Sequence, residues 1–131
     1  MTKIIVLADK TISLEKSEVS YCGESKSDIF KVLVPCHMNG LETKSTSVSF
    51  CFITPCGISE KISLNEIGGI TTRLKNYLMF YFRPNSSFYS HIGKVKCWIE
   101  IEHDDVLIKS DICEIEIHEH FCNKGQEKII K

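Results

Sequence analysis

Three possible metal ligands follow one another near the end of an alternating segment. In an extended strand His118, His120 and Cys122 point to the same side, and imidazole and thiolate are ligands that Zn²⁺ prefers. Ligands two residues apart on one strand lie about 6–7 Å apart, so His103 is the candidate for a fourth ligand. The alternative, which we favour, is that these are solvent-exposed polar residues at a fraying strand end. No cofactor is therefore expected.

Cysteine chemistry is the second possibility. A cysteine nucleophile needs a histidine beside it and a further polar group that orients the histidine. The candidates in loops are Cys56, which follows a proline, and Cys36, which precedes His37. Neither lies in a known nucleophile motif, so we expect loop thiols rather than a hydrolase.

The acidic turn at Asp104 and Asp105 also lacks the spacing of a calcium loop. The sequence predicts a protein that is not an enzyme.

Aromatic side chains are the third group that could recognise a ligand. Tyr77, Tyr81, Tyr89 and Trp98 could stack on a sugar or on a partner's peptide. Trp98 falls on the otherwise charged face of its segment, so two interpretations remain open. It packs under the N-terminal strand, which we favour, or it anchors an interface.

The composition favours one domain with a real core. The chain has 131 residues, of which 43% are hydrophobic, and this is enough for a single domain without metals or disulfides. We place the domain at residues 1–122 and a polar tail at 123–131. The 16 basic residues nearly cancel the 17 acidic ones, so neither nucleic acid nor a membrane surface is an expected partner. An odd number of cysteines and the lack of an export signal indicate free thiols and synthesis in the cytoplasm.

Period-2 alternation in short runs, which is typical of half-buried strands, dominates the sequence. Val48, Phe50 and Phe52 share one face of such a run and are followed by a Pro-containing turn and a return strand. Six runs show this alternation: Phe30–Val34, Val48–Phe52, Ile62–Leu64, Leu78–Phe82, Val95–Ile101 and Cys113–Ile117. The run at Leu78–Phe82 is apolar on both faces, so we expect it to lie centrally or beneath something that covers it.

Further strands are expected at Lys3–Leu7, as an edge strand, and at Val19–Cys22. The stretch from Thr71 to Asn76 is the helical candidate. About seven or eight strands is the number typical of an immunoglobulin-like sandwich. The sequence therefore predicts an all-β fold, an immunoglobulin-like β-sandwich.

A family resemblance rests on several short motifs. A Gly-Glu-x-x-Ser motif at Gly23 leads into a strand ending at Pro35, and a Gly-containing turn follows at Gly40. A Pro-x-Gly turn begins at Pro55, and Gly93 starts a strand. Together these motifs resemble the N-terminal immunoglobulin-like domain of phage upper baseplate proteins, over roughly Val19 to Phe121.

The resemblance implies a non-enzymatic bacteriophage virion protein of the baseplate or tail type. Such a domain attaches to other virion proteins, as a homo-oligomer or in a symmetric array, so the virion is the expected location. No helical stalk follows the domain in this sequence, and a capsid decoration or accessory protein is the first alternative. A carbohydrate- or peptide-binding adhesion module that uses the aromatic residues is the second.

Overall fold

The computed structural model describes residues 1–66, 72–74 and 76–120, with the backbone alone at 72–74. Within these ranges the chain forms β-strands and one short 3-10 turn, Thr43–Ser45, and contains no α-helix. The strands are β1 (Thr2–Val6), β2 (Ile12–Lys16), β3 (Ser20–Tyr21), β4 (Phe30–Pro35), β5 (His37–Met38), β6 (Leu41–Glu42), β7 (Ser47–Ile53), β8 (Ser59–Ser63), β9 (Thr72–Leu74), β10 (Tyr77–Phe82), β11 (Gly93–His103), β12 (Val106–Lys109) and β13 (Cys113–His118). The prediction of an all-β fold is confirmed.

Two sheets pack face to face. The first has the order β2-β1-β4-β10-β9, and the second has the order β3-β13-β11-β7-β8. β12 pairs with the distal part of β11, on the same edge that β13 uses nearer the start of the strand. β5 and β6 form a separate two-stranded ribbon.

The connections follow a Greek-key pattern. The chain passes from β4 in the first sheet to the β7–β8 hairpin in the second, returns to β9 and β10, and crosses again to β11 and β13. β3 runs parallel to the last strand, β13. The fold is an immunoglobulin-like β-sandwich. An N-terminal hairpin, β1–β2, extends the first sheet, and β1 runs parallel to β4.

The core lies between the sheets and uses the alternating residues. Phe30 and Phe82 come from the first sheet and Phe50 from the second, and the ring centroids of Phe50 and Phe82 are 4.9 Å apart. The inward side chains that are almost fully buried include Ile4, Val6, Val32, Val34, Phe80, Val48, Phe52, Val95, Cys97, Ile99, Ile101, Ile115 and Ile117. Their spacing of two residues is the alternation that the sequence displays.

Two local predictions are wrong. β1 is an inner strand of its sheet rather than an edge, because β2 hydrogen-bonds to its free side. The helical candidate from Thr71 to Asn76 is also wrong where the structure describes it, since Thr72–Leu74 is strand β9, which pairs with β10. Thr71 and Lys75 lie outside the described residues. β10 offers an edge to which this segment can hydrogen-bond. These hydrogen bonds outweigh the helical preference of the segment, which is weak because the segment is so short.

Candidate interaction surface

The outward side chains of β10 are apolar, although they do not face the core. Leu78, Phe80 and Phe82 point inward and are buried, whereas Tyr77, Met79 and Tyr81 alternate with them and are half-buried. They lie on the outer face of the first sheet. An outer face of a sandwich is usually polar, so this strand departs from the usual pattern.

Two neighbouring strands extend this apolar surface. Leu33 of β4 is the register partner of Met79, and Ile5 of β1 is the register partner of Leu33. The three side chains form a row across three strands on the outer face. Leu33 is 6% exposed, so its flanking side chains cover it almost completely. We call the set Ile5, Leu33, Tyr77, Met79 and Tyr81 the β10 face.

Basic residues border the β10 face at one end. Lys31 Nζ lies 5.7 Å from the centroid of the Tyr81 ring, which is within the range of a cation–π contact. Lys3 and Lys31 are direct register partners on adjacent strands. Within the described part of the chain neither ammonium group lies within 4.0 Å of a carboxylate. On its other side Lys3 has Glu15 of β2 as its register partner, whereas Lys31 is opposite Tyr81. Lys31 is therefore the cation that favours an anionic group on a partner.

Tyr89 does not belong to this surface, so its predicted stacking role is not supported by its position. The residue is 0% exposed, and its ring packs against that of Phe88 with centroids 5.0 Å apart. Burial raises the pKa of Tyr89 to about 12. The segment after β10 folds back between the sheets, which the loop-like composition of the preceding residues does not reveal.

Trp98 lies on the opposite side of the molecule, on the outer face of the second sheet. It does not pack under the N-terminal strand, because β1 belongs to the other sheet. Its indole Nε1 instead donates a hydrogen bond of 2.9 Å to Glu100 Oε2 on the same strand. Its register partner on β7 is Cys51. The partly buried indole is held by its own sheet.

Glu100 organises the polar side chains around Trp98. Its carboxylate also lies 3.0 Å from Lys61 Nζ and 3.8 Å from Lys109 Nζ. Burial alone would raise the pKa of Glu100, but the hydrogen bond from Trp98 and the nearby lysines outweigh burial and lower it. Burial, together with this carboxylate, raises the pKa of the Cys51 thiol to about 12. The charged side chains around Trp98 therefore pair with one another.

The candidate zinc ligands are only partly within the described residues. The rings of His118 and His120 lie 6.5 Å and 5.4 Å from that of Tyr21, in edge-on contacts. Cys122 lies outside the described residues. Among residues 1–66, 72–74 and 76–120 no three His, Cys, Asp or Glu side chains are grouped to hold a metal ion.

His103 cannot be the fourth ligand of such a site. It is the last residue of β11, whereas the partner of Ile117 is Gly93, the first residue of the same strand. Ten residues of extended chain separate the two positions by about 33 Å. His103 Nε2 instead lies 3.5 Å from Asp104 Oδ2.

One loop cysteine does contact a histidine, but the pair is Cys56 and His91 rather than the sequence neighbours Cys36 and His37. Cys56 Sγ lies 3.3 Å from His91 Nδ1, which also contacts Ser90 Oγ at 2.9 Å. His91 lies in a loop far along the chain, so sequence spacing gives no sign of the pair. No carboxylate or amide orients the imidazole among the contacts that the described residues make. Cys36 is buried.

Comparisons with known proteins gave matches among solved structures only. No family model matches the chain, and no curated protein matches it. Among solved structures the fold is similar to the N-terminal domain of phage TP901-1 ORF48, with a TM-score of 0.43 and 8% sequence identity. The match covers 89% of this chain and 95% of that chain. In the part of the chain that the structure describes, no helix has the length and apolar character to cross a membrane.

Proposed function

We propose that this chain is a non-enzymatic bacteriophage virion protein of the baseplate or tail type, which attaches to neighbouring virion subunits through the β10 face. The observation that carries the proposal is the apolar outer surface of the first sheet. The motifs from Tyr21 to Leu41 and from Gly93 to Trp98, which resemble those of phage baseplate domains, supply the biological setting.

The composition of the β10 face is that of an interface. Tyrosine and methionine are enriched in protein interfaces, and charged residues are depleted at their centres. Tyr77, Met79 and Tyr81 provide such side chains on one strand, and Ile5 continues the surface on β1, while Leu33 packs among them and is almost fully covered. The outer face of the second sheet has the opposite character, since it is charged and Lys61, Lys94 and Lys109 on it already pair with glutamates.

The charges at the rim specify the partner's chemistry. Lys31 favours a carboxylate opposite it, so the complementary surface is apolar at its centre and acidic at one side. In a symmetric particle one such contact is repeated by every copy, and a modest affinity per contact is sufficient for stable attachment. The partner is another virion protein or a further copy of this chain within an array.

A cosedimentation experiment tests the proposal. The tagged chain is expressed in a bacterium during phage production, and head, tail and soluble fractions of the lysate are separated. We expect the chain with tails and a Tyr77→Ser, Tyr81→Ser variant in the soluble fraction. The matched control, Lys94→Ser, Glu116→Ser on the other sheet, keeps the wild-type distribution.

The distribution among fractions discriminates the alternatives. Sedimentation with heads favours capsid decoration over tail attachment. Recovery of the wild-type chain only in the soluble fraction contradicts a virion role, and equal attachment of the tyrosine variant contradicts the β10 face. Far-ultraviolet circular dichroism of each variant checks that the fold is intact.

Carbohydrate binding is the second candidate, because Tyr77 and Tyr81 stand about 13 Å apart on one strand. Two rings at this spacing can stack on two sugars of one extended glycan that are not adjacent to each other. Calorimetric titration with cell-wall saccharides measures this directly. Binding that the double tyrosine variant abolishes supports an adhesion module, and no heat at millimolar saccharide excludes it.

A further inference from the structure

Two cysteines face each other across the second sheet. β11 and β13 are antiparallel, and Cys97 and Cys113 are direct register partners at the end of their pairing. Directly opposed residues in an antiparallel pair have Cα atoms about 4.5–5.5 Å apart. Disulfides span Cα separations of about 4.4–6.8 Å. The backbone therefore holds this pair at a separation that a disulfide can bridge.

The two thiols differ in their access to solvent. Cys97 is fully buried among the inward residues of β11, whereas Cys113 is half-buried at the edge of the core. A reagent in solution reaches Cys113 first, and Cys97 can then be reached only from Cys113. This order is the one that a two-step thiol–disulfide exchange requires.

The pKa values of the two thiols favour the same order of reaction, with Cys113 first and Cys97 second. Hydrogen bonding from the Cys97 thiol lowers the pKa of Cys113, so Cys113 forms the attacking thiolate more readily. Burial raises the pKa of Cys97 well above its usual value. Cys97 therefore stays protonated until a mixed disulfide forms beside it.

We propose that Cys97 and Cys113 form a dithiol oxidation site that reacts with small-molecule disulfides such as oxidised glutathione. The Cys113 thiolate attacks one sulfur of the oxidant, forms a mixed disulfide and releases one equivalent of small thiol. Cys97 then attacks the Cys113 sulfur, loses its proton to water, and releases the second equivalent. The protein loses two protons and two electrons, and the oxidant gains both as it becomes two molecules of small thiol.

The product is a covalent link between β11 and β13. The bond closes a loop over residues 98–112, which carries β12. Because the ends of this loop are already held by strand pairing, oxidation leaves the fold unchanged. It restricts the unfolded chain and so stabilises the folded state. The reaction uses only the isolated chain, so its outcome is independent of the proposed function.

The test uses full-length protein with Cys56→Ser and Cys122→Ser, which removes one exposed thiol and one thiol outside the described residues. Oxidised glutathione is added, and intact mass, free thiols and tryptic peptides are measured. We expect the mass to fall by two hydrogens, with a Cys97–Cys113 linked peptide. We also expect Tm to rise by about 5–10 °C.

Single variants separate the two steps. Cys97→Ala blocks the second step, so a stable glutathione adduct accumulates on Cys113. Cys113→Ser blocks the first step, so the thiol at Cys97 stays reduced. Cys51→Ala, at a thiol on the outer face of the same sheet, is the matched control and retains the linked peptide.

A stable glutathione adduct at Cys113 with Cys97 intact, or a linked peptide involving another cysteine, overturns the proposal. So does a protein that shows no change in mass. Circular dichroism of Cys97→Ala establishes whether this variant is folded. If it is not, the accumulation of the adduct early in the oxidation of the background protein gives the order of the two steps.

Discussion

Glu100 is a buried carboxylate on a surface that the alternating sequence assigns to solvent. It is 8% exposed, and Trp98 Nε1 and Lys61 Nζ both lie within 3.0 Å of its oxygens. A charge removed from water is stable only where such partners replace its hydration. Glu102, two residues further along the strand, has a side chain that is 43% exposed and shares Lys61.

The pair gives a matched test of buried against exposed charge. Glu100→Gln keeps the shape of the side chain but loses the negative charge that accepts the Trp98 hydrogen bond and pairs with Lys61. We therefore expect the free energy of unfolding to fall by about 1–3 kcal/mol. Glu102→Gln should cost about 0–1 kcal/mol, because its pair is screened by solvent. Urea denaturation measures both. Equal losses at the two positions contradict a structural role for burial at Glu100.

Asp28 is a second buried carboxylate, placed before β4. Its Oδ2 accepts a hydrogen bond of 2.5 Å from Thr2 Oγ1, and its Oδ1 lies 2.9 Å from the amino group of Met1. Burial alone would raise the pKa of Asp28, but these hydrogen bonds and the nearby positive charges outweigh it and lower the pKa. The carboxylate therefore ties β1 to the turn before β4.

The sign of the pH effect follows from this lowered pKa. A group whose folded pKa lies below its unfolded value of about 3.9 stabilises the fold above that value and loses this contribution as the pH falls through the folded pKa. We expect Asp28→Asn to lower Tm at pH 7 and the two melting temperatures to converge as the pH falls below about 4. Thermal melts across this range measure the gap, and a constant gap contradicts the assignment.

At the scale of strands, the alternating pattern predicted most of the second sheet. Val95, Cys97, Ile99 and Ile101 point inward as expected, and their partners on β7 and β13 alternate in phase with them. Alternation is reliable here because the inner face buries apolar residues while the outer face carries charges. The same pattern did not predict β9 or β12, since a three- or four-residue strand depends on the partner strand that receives it.

Gly93 starts β11 in a conformation that side chains disfavour. Its φ is +127°, and a Cβ built on it would lie 2.8 Å from Pro55 Cγ in the β7–β8 turn. Gly57 has a positive φ of +96° but nothing within 4 Å of such a Cβ. A methyl group added at Gly57 therefore meets backbone strain alone, whereas one added at Gly93 also meets the proline ring.

Alanine substitutions at the two glycines should differ in cost. We expect Gly57→Ala to destabilise the protein by about 1 kcal/mol through backbone strain alone. Gly93→Ala should cost about 2–3 kcal/mol, because the added methyl group also displaces the proline ring. Chemical denaturation of both variants checks the difference, and a Gly93→Ala variant no less stable than Gly57→Ala rules out the clash.

For the whole molecule, the sequence predicted the sandwich but only part of its surfaces. Tyr77 and Tyr81 were recognisable candidates because they are aromatic residues in a run that is apolar on both faces. Leu33 and Ile5 complete the β10 face only through register between β1, β4 and β10, which joins segments far apart in the chain. Local spacing carries no information about such register. The predicted packing of Trp98 under the N-terminal strand was wrong for the same reason. The alternation within β11 does not show which strands belong to the same sheet.

Phe88 joins the two sheets although it comes from neither. Its ring lies 5.4 Å from that of Phe30 in the first sheet and 5.3 Å from that of Phe52 in the second. The residue is 0% exposed. A loop side chain therefore fills the centre of the interface between the sheets, where removal of its ring leaves a cavity that neither sheet can close alone.

Truncation at this position should affect the entire fold. We expect Phe88→Ala to lower the free energy of unfolding by about 3–5 kcal/mol, a large share of the roughly 5–15 kcal/mol typical of a domain. Tyr77→Ala, which removes a half-buried ring from the β10 face, should cost distinctly less because the vacated space opens to water. Urea denaturation compares the two variants. If Phe88→Ala lowers the free energy of unfolding no more than Tyr77→Ala does, the two sheets pack stably without the Phe88 ring. The loop that carries Phe88 then does not hold the sheets together.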